Sequence, residues 1–245
     1  MRARARIAVE RRGGVDEIVD RSGQAPISVR RCGDRVLLAA SAAAPVGGDE
    51  LELIVDVGPD ARADVGSVAA NMVWPAPIEC WSSSTTRCSV AAGGHLRLWL
   101  EPTVSVAGSL HRATTTVHLA DGATCVVVEE VALGRHSESS GRLDLRLRVE
   151  RATGVLVDHG EMFGPDVPGA LSSVSVGAAR HALSAVVVGA PAGESRTCVE
   201  RGRAGAWLPV AADAAVVLAV GADRPAVRAL VAALAPELST DRLLW

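Results

Sequence analysis

The 245-residue chain offers few side chains for chemistry and no familiar constellation of them. The stretch "VDHGEMFG" gathers Asp158, His159, Glu161 and Met162 behind a short strand, Val155–Asp158. Hard, intermediate and soft donors in one loop suit a transient contact with a borderline divalent ion such as Ni²⁺ or Zn²⁺, not a closed four-ligand site. Asp49 follows Gly47 and Gly48 and leads into "ELELIVDV". Its carboxylate either caps the turn or is free for function, while the glycines supply φ > 0 or a close backbone approach. Glu129 and Glu130 are adjacent at the end of an apolar run, so on a strand they point to opposite faces and at most one points inward. An inward charge has to be paired. Arg135 is the nearby candidate, which predicts a polar seam inside or between sheets.

Other signals are absent. The six histidines have no ligand-like pairing, and His111 and His118 fall seven apart on an expected hairpin. The five cysteines, at 32, 80, 88, 125 and 198, form no CxxC and no zinc spacing, so reduced thiols are expected rather than a disulfide framework. No GxGxxG, Walker A, GxSxG or HExxH motif occurs. That argues against nucleotide binding, serine-hydrolase chemistry and zinc-protease chemistry.

The elements that position these residues read as many short strands. "RLDLRLRVE" from Arg142 and "ELELIVDV" from Glu50 alternate with period 2. Further strands are expected at 35–40, 96–100, 114–119, 125–131, 184–188 and 216–220. Gly58, Gly93 and Gly122 each sit in a turn that feeds a new strand, 35 and 29 residues apart, which suits strand layers stacked on one another. One helix is expected near 224–235, with Asp223 as N-cap, Pro225 in its first turn, an apolar stripe at Val227, Leu230, Val231 and Leu234, and Pro236 as its stop. The segment 71–84, rich in Pro, Trp and Ser, reads as a long loop or irregular edge. Trp74 and Trp81 in it are candidates for a partner surface or for folding back over the core.

A formal charge of −3 gives no basic footprint for nucleic acid. No apolar run reaches the length of a membrane span, and the basic, alternating N-terminus lacks the apolar core of a signal peptide, so a cytoplasmic location is expected. The edge strand it forms should hold its arginines in water.

Four segments follow one another in the order of a known family: "GGDELELIVDVG" at Gly47–Gly58, "VAANMVW" at Val68–Trp74, "LRLWLEP" at Leu96–Pro102 and "VVVEEVALGRHSESSG" at Val126–Gly141. From about Arg4 to Phe163 the chain resembles the urease accessory protein UreD, called UreH in some bacteria. It departs where the family's Thr-Thr-Gln becomes Gly66, Ser67 and Val68, where its Lys-Val-Tyr becomes Met72, Val73 and Trp74, and where Ser139 and Ser140 replace a glycine-glutamate pair. The resemblance implies a mainly β fold, a β-helix-like stack of short strands with one or two flanking helices, in a single domain over 1–245. It implies a non-enzymatic scaffold that binds urease apoprotein, UreF and the nickel-carrying GTPase UreG. No cofactor would be tightly bound, and Ni²⁺ would pass in transit. Gly47, Gly48, Asp49, Trp74, Trp81, Glu130 and Arg135 would form its interface or passage, with Asp49, His159 and Glu161 as transient nickel contacts. Two rivals are a structural β-protein without a metal role and a β-helical carbohydrate-active enzyme. The enzyme would need two carboxylates about 5–9.5 Å apart along an aromatic-lined groove, and 2% aromatics does not suit one.

Overall fold

Alternating apolar and charged residues make β1 (Arg2–Arg12), which buries Ala3, Ala5, Ile7 and Val9 and leaves its arginines outside. In the computed structural model, which describes residues 1–170, 172 and 176–239, β1 turns back into β2 (Val15–Gly23). A second hairpin, β3 (Ile27–Cys32) and β4 (Arg35–Ala40), lies in the opposing sheet. The chain then coils. β5 (Glu50–Val57), β6 (Arg62–Ser67) and β7 (Asn71–Val73) make one circuit. β8 (Ser82–Val90), β9 (His95–Trp99) and β10 (Thr103–Ser105) make the next. β11 (Leu110–Leu119) and β12 (Thr124–Ala132) follow, and β13 (Arg142–Arg151) opens a fourth before folding back as β14 (Gly154–Phe163). Each strand pairs in parallel with its equivalent one circuit away, which makes the fold a β-solenoid.

An antiparallel extension completes the second sheet: β15 (His181–Val188), β16 (Arg196–Glu200), β17 (Arg203–Ala211) and β18 (Ala214–Gly221). Sheet A therefore runs β14-β13-β11-β8-β5-β1-β2 and sheet B runs β16-β17-β18-β15-β12-β9-β6-β4-β3. Helix α1 (Arg224–Leu234) packs its apolar stripe on the outer face of sheet B, and the short α2 (Pro236–Ser239) follows. Asp223 caps α1 by accepting the Ala226 N–H at 2.8 Å, as expected. The last six residues of the expected 1–245 span lie outside the described residues.

Turn chemistry sets the pitch. The Asp60 N–H donates to the Ala92 carbonyl at 3.0 Å, and the Gly93 N–H to the Asp121 carbonyl at 3.2 Å, so the three glycine turns stack as successive corners of the coil. Gly93 and Gly122 have φ of +66° and +68°, where a side chain would be strained. The stacking puts like beside like: Val55, Cys88, Val117 and Val149 lie in one row of sheet A, and Val65, Leu98 and Val127 in one row of sheet B. These rows fill the space between the sheets. A second core, with Val126, Val128, Trp207, Val217 and Leu230, lies between sheet B and α1. Covered on both faces, β15 is buried along its whole length, the pattern of an internal strand.

Four expectations are corrected. β1 is no edge strand, because β5 pairs with it on one side and β2 on the other, although its arginines do lie in water. His111 and His118 share β11, whose neighbours are both parallel to it, so no hairpin joins them. Their odd spacing sends them to opposite faces, His111 inward and buried, His118 outward beside Glu150 at 2.8 Å. "VDHGEMFG" is no loop, because β14 continues through it to Phe163 with main-chain pairing to β13. The loop expected to last until Ser84 ends at Trp81, since the neighbours β5 and β11 supply ladder bonds to β8 from Ser82 onward.

Candidate functional site

The interior of the solenoid changes character along its strands. At the Val55 level every inward side chain is apolar, whereas one step toward the strand starts the row reads Leu53, Thr86, Thr115, Leu147. The next rows are Leu51, Ser84, Ala113, Leu145 and then Ser82, His111, Leu143. Sheet B faces these rows with Val127, Glu129 and Val131, because Val126, Val128 and Glu130 point the other way, toward α1. A cavity of about 220 Å³ lies here, lined in part by Ser84, Thr86, His111, Thr115 and Glu129. It exceeds the room one water needs, and its polar groups give water partners.

Glu129 is the carboxylate that sheet B turns into this interior, where it is half-buried. Burial raises its pKa, a hydrogen bond with Thr115 works against that, nearby Glu161 raises it further and nearby His159 lowers it. No arginine is among these influences. His159 and Glu161 reach the same interior from β14, in register with Leu147 and Leu145. The His159 Nε2 to Glu161 Oε1 distance is 3.5 Å, and the buried Nε2 makes no well-aligned hydrogen bond, so the pair acts through charge. The Glu161 carboxylate raises the His159 pKa and burial opposes it. At the far side, the Ser82 hydroxyl donates to the Leu110 carbonyl at 3.2 Å and lies 2.8 Å from His111 Nδ1. That arrangement assigns the proton to Nδ1. Burial pushes the His111 pKa down to about 4, so its imidazole is neutral near pH 7.

Glu130 is on the other face of sheet B and is fully enclosed. Its carboxylate accepts from Arg224 Nε at 2.9 Å, from Arg228 at 2.8 Å and lies 2.9 Å from His181 Nε2. Burial alone would raise its pKa. The hydrogen bonds from His181, Arg228 and Arg224 outweigh that and hold it at about 2. The expected partner, Arg135, is elsewhere: it forks onto Glu138 at 2.7 and 2.8 Å and stacks over Trp74, 5.5 Å from the ring centre. Two residues separated in sequence by 94 and 98 positions replace the one nearby.

Asp49 sits at the polar rim, where β5 and β8 begin. It is buried, with Oδ2 accepting the Val46 N–H at 2.9 Å and Oδ1 taking the Met1 nitrogen at 2.5 Å. Gly48 has φ of +87°, and a Cβ on Gly47 would lie 2.8 Å from both the Cys80 carbonyl oxygen and Ala76 Cβ. Both sequence accounts of that glycine pair therefore apply, one to each residue. Trp81 crosses the same rim, 37% exposed, under the guanidinium groups of Arg112 and Arg142 at 5.3 and 5.7 Å. Trp74 is half-buried beneath the Arg135 loop.

Sequence reasoning singled out His159, Glu161 and the Glu129–Glu130 pair but missed Ser82, Thr86, His111 and Thr115. The signal for the strand residues was the every-second-residue spacing inside "SSSTTRCSV", hidden because the inward side chains there are themselves polar. Among the described residues no three His, Cys, Asp or Glu side chains are grouped as a metal centre. No described helix is long and apolar enough to cross a membrane.

The described residues form a β-solenoid with a docked helix and polar side chains dispersed through its interior. The family model described as UreD urease accessory protein matches residues 1–243, and the chain belongs to that family. The match runs well past Phe163, where the motif-based likeness was expected to fade. The chain is 33% identical over 232 residues to a urease accessory protein UreD of Streptomyces avermitilis, covering 91% of this chain and 92% of that protein. It is 32% identical over 220 residues to the urease accessory protein UreD 3 of Streptomyces griseus subsp. griseus, covering 86% of each. A UreD of Parafrankia sp. is 32% identical over 265 residues, covering 98% of this chain and 89% of the relative.

Proposed function

We propose that this chain is a cytoplasmic scaffold, acting as one unit over 1–245, that assists nickel delivery into apo-urease together with UreF and UreG. The polar interior supports a passage role, and Glu129 carries the argument. A half-buried carboxylate whose ionised form is disfavoured by its surroundings gains from a divalent cation, which restores the charge that desolvation opposes. Single, separated donors hold such an ion weakly enough to release it, as transit requires. Glu130 has a complete set of cationic partners and no such need, so we assign the passage to the Glu129 side of the strand, with His159 and Glu161 near it and Asp49 at the rim. The test is activation of apo-urease by purified chain, UreF, UreG and limiting Ni²⁺. Omission of the chain should abolish activation, and full activation without it would reject the reading.

Asp49→Asn keeps the acceptor for the Val46 N–H and removes the charge. A folded protein is expected, less stable by no more than about 2 kcal/mol, by analogy with helix capping. Activation at limiting nickel should fall and recover partly at high nickel. Equal activation at every nickel level and equal abundance would leave Asp49 as a turn residue alone.

Trp81 and Trp74 should separate in their effects. Trp81→Ala removes an exposed ring flanked by two arginines, the composition of an interface anchor, and is expected to weaken UreF or urease binding by tenfold or more with little change in melting temperature. Trp74→Ala undoes the packing of the Arg135 loop and should lower the melting temperature. Unchanged affinity for the Trp81 variant, measured by titration calorimetry, would remove that residue from the partner surface.

A further inference from the structure

The two sheets end unequally. Sheet A stops at β14, whereas sheet B continues through β17 to β16. Register fixes which side chains face inward on this overhang. Val199 pairs with Ala204 and Thr197 with Ala206; Ala206 pairs with Leu218 and Leu208 with Val216, and both of those last partners pack in the core between the sheets. The inward face of β16 and β17 thus carries Thr197, Val199, Ala204, Ala206 and Leu208, with no charge among them. Arg196, Glu200 and Arg203 fall on the opposite face with Trp207. Yet Val199 is 81% exposed and Leu208 36%. An uncharged sheet face continuous with the core is left open to water.

We propose that this overhang is a dimerisation surface for a second copy of the chain. Among the described residues no sheet layer lies above it; the gap is one layer, about 10 Å thick, directly beyond β14, the terminal strand of sheet A. A second overhang has that thickness, two strands of width and the same uncharged face. Related by a twofold axis along the strands, the two overhangs lie face to face as a half-lap joint, each filling the gap beside the other's β14. The main-chain groups along the outer edges of β14 and β16, terminal strands of their sheets, then come side by side, which removes two open edges. The contact is isologous, so it closes at two copies instead of growing into a filament. Strands of 5 and 9 residues per copy give less than the roughly 20–30 residues a side of a standard interface, the size of a weak, reversible contact.

Light scattering and sedimentation of the purified full chain from about 1 to 200 µM test this. The mass should rise from 25.2 kDa toward twice that value. Val199→Glu and Leu208→Glu should each weaken dimerisation at least tenfold with circular dichroism and melting unchanged. Val19→Glu, a site on β2 at the other end of sheet A about as exposed as Leu208, should leave it intact. A 25.2 kDa species at every concentration overturns the proposal. So does a dimer that survives both overhang variants, or one that only the β2 variant disrupts.

Discussion

Replacing Glu130 with alanine is expected to destabilise the protein by about 3–5 kcal/mol, the range for removing one partner of a buried ion pair. For a chain of this length that corresponds to a fall in melting temperature of roughly 6–20 °C. The cause is not the lost carboxylate contacts alone. Arg228 would be left beside Arg224 on α1 without the carboxylate it now shares with it, Arg224 would keep only Glu101 at 2.8 Å, and Arg228 also lies over the Trp99 ring at 4.5 Å. Arg228→Ala should cost less, since Arg224 and His181 still hold the carboxylate. The pH dependence has a definite sign. A carboxyl held at about 2 when folded, against about 4.5 when free, stabilises fully above 4.5 and loses that contribution as pH falls toward 2. Thermal melts of wild type and Glu130→Ala between pH 7 and 2 should therefore converge at the acid end. A melting temperature within 2 °C of wild type at pH 7, on the order of 1 kcal/mol or less, would mean that the cluster does not fasten α1.

The second large effect concerns activation and not stability. Glu129→Gln keeps the size of the side chain and its hydrogen bonding with Thr115 while removing the only charge it could offer a cation. Since burial disfavours that charge in the metal-free protein, the variant should fold at least as well as wild type. At limiting Ni²⁺ we expect activation of apo-urease to drop tenfold or more, a loss of about 1.4 kcal/mol or more in the interaction with the passing ion. The drop should exceed that of Asp49→Asn, whose carboxylate is already engaged by two nitrogens of its own chain. Binding of UreF and urease should be unchanged, which a pull-down measures separately. Normal activation by a folded, partner-binding Glu129→Gln protein would remove the interior carboxylate from the route.

Strands with one wet face were legible. In β13 and β5 charges and aliphatic groups alternate because water covers one side and the core the other, and both match the expected ranges to within a residue. The helix was legible too, since its cap, proline and stripe are all local. β8 was not, because its inner face presents Ser82 and Thr86 where the sequence rule looks for aliphatic groups. The partner of Glu130 was hidden for a different reason. Sequence proximity favoured Arg135, whereas the carboxylate is enclosed only because α1 returns to cover a face that would otherwise be wet. Adjacent residues on one strand then both turn toward covered faces, Glu129 half-buried in the coil and Glu130 enclosed under the helix. Alternation alone gives only that they part, not that both sides are covered.

The Glu130 cluster also orders events in time. Glu130 emerges from the ribosome 94 residues before Arg224 and 98 before Arg228. The circuits of the coil can stack as they are made, each on the one before, but sheet B cannot seal its outer face until α1 arrives with its two cations. A chain halted between Glu130 and Arg224 would carry an anion beside the uncovered Val126 and Val128, a greasy, unfinished surface of the kind that chaperones hold and proteases attack. Wild-type chains meet this state during synthesis and, with the cluster closed, reopen to it rarely. A variant with a weakened clasp returns to it throughout its life, so its abundance in the cell should fall by more than its melting temperature alone suggests.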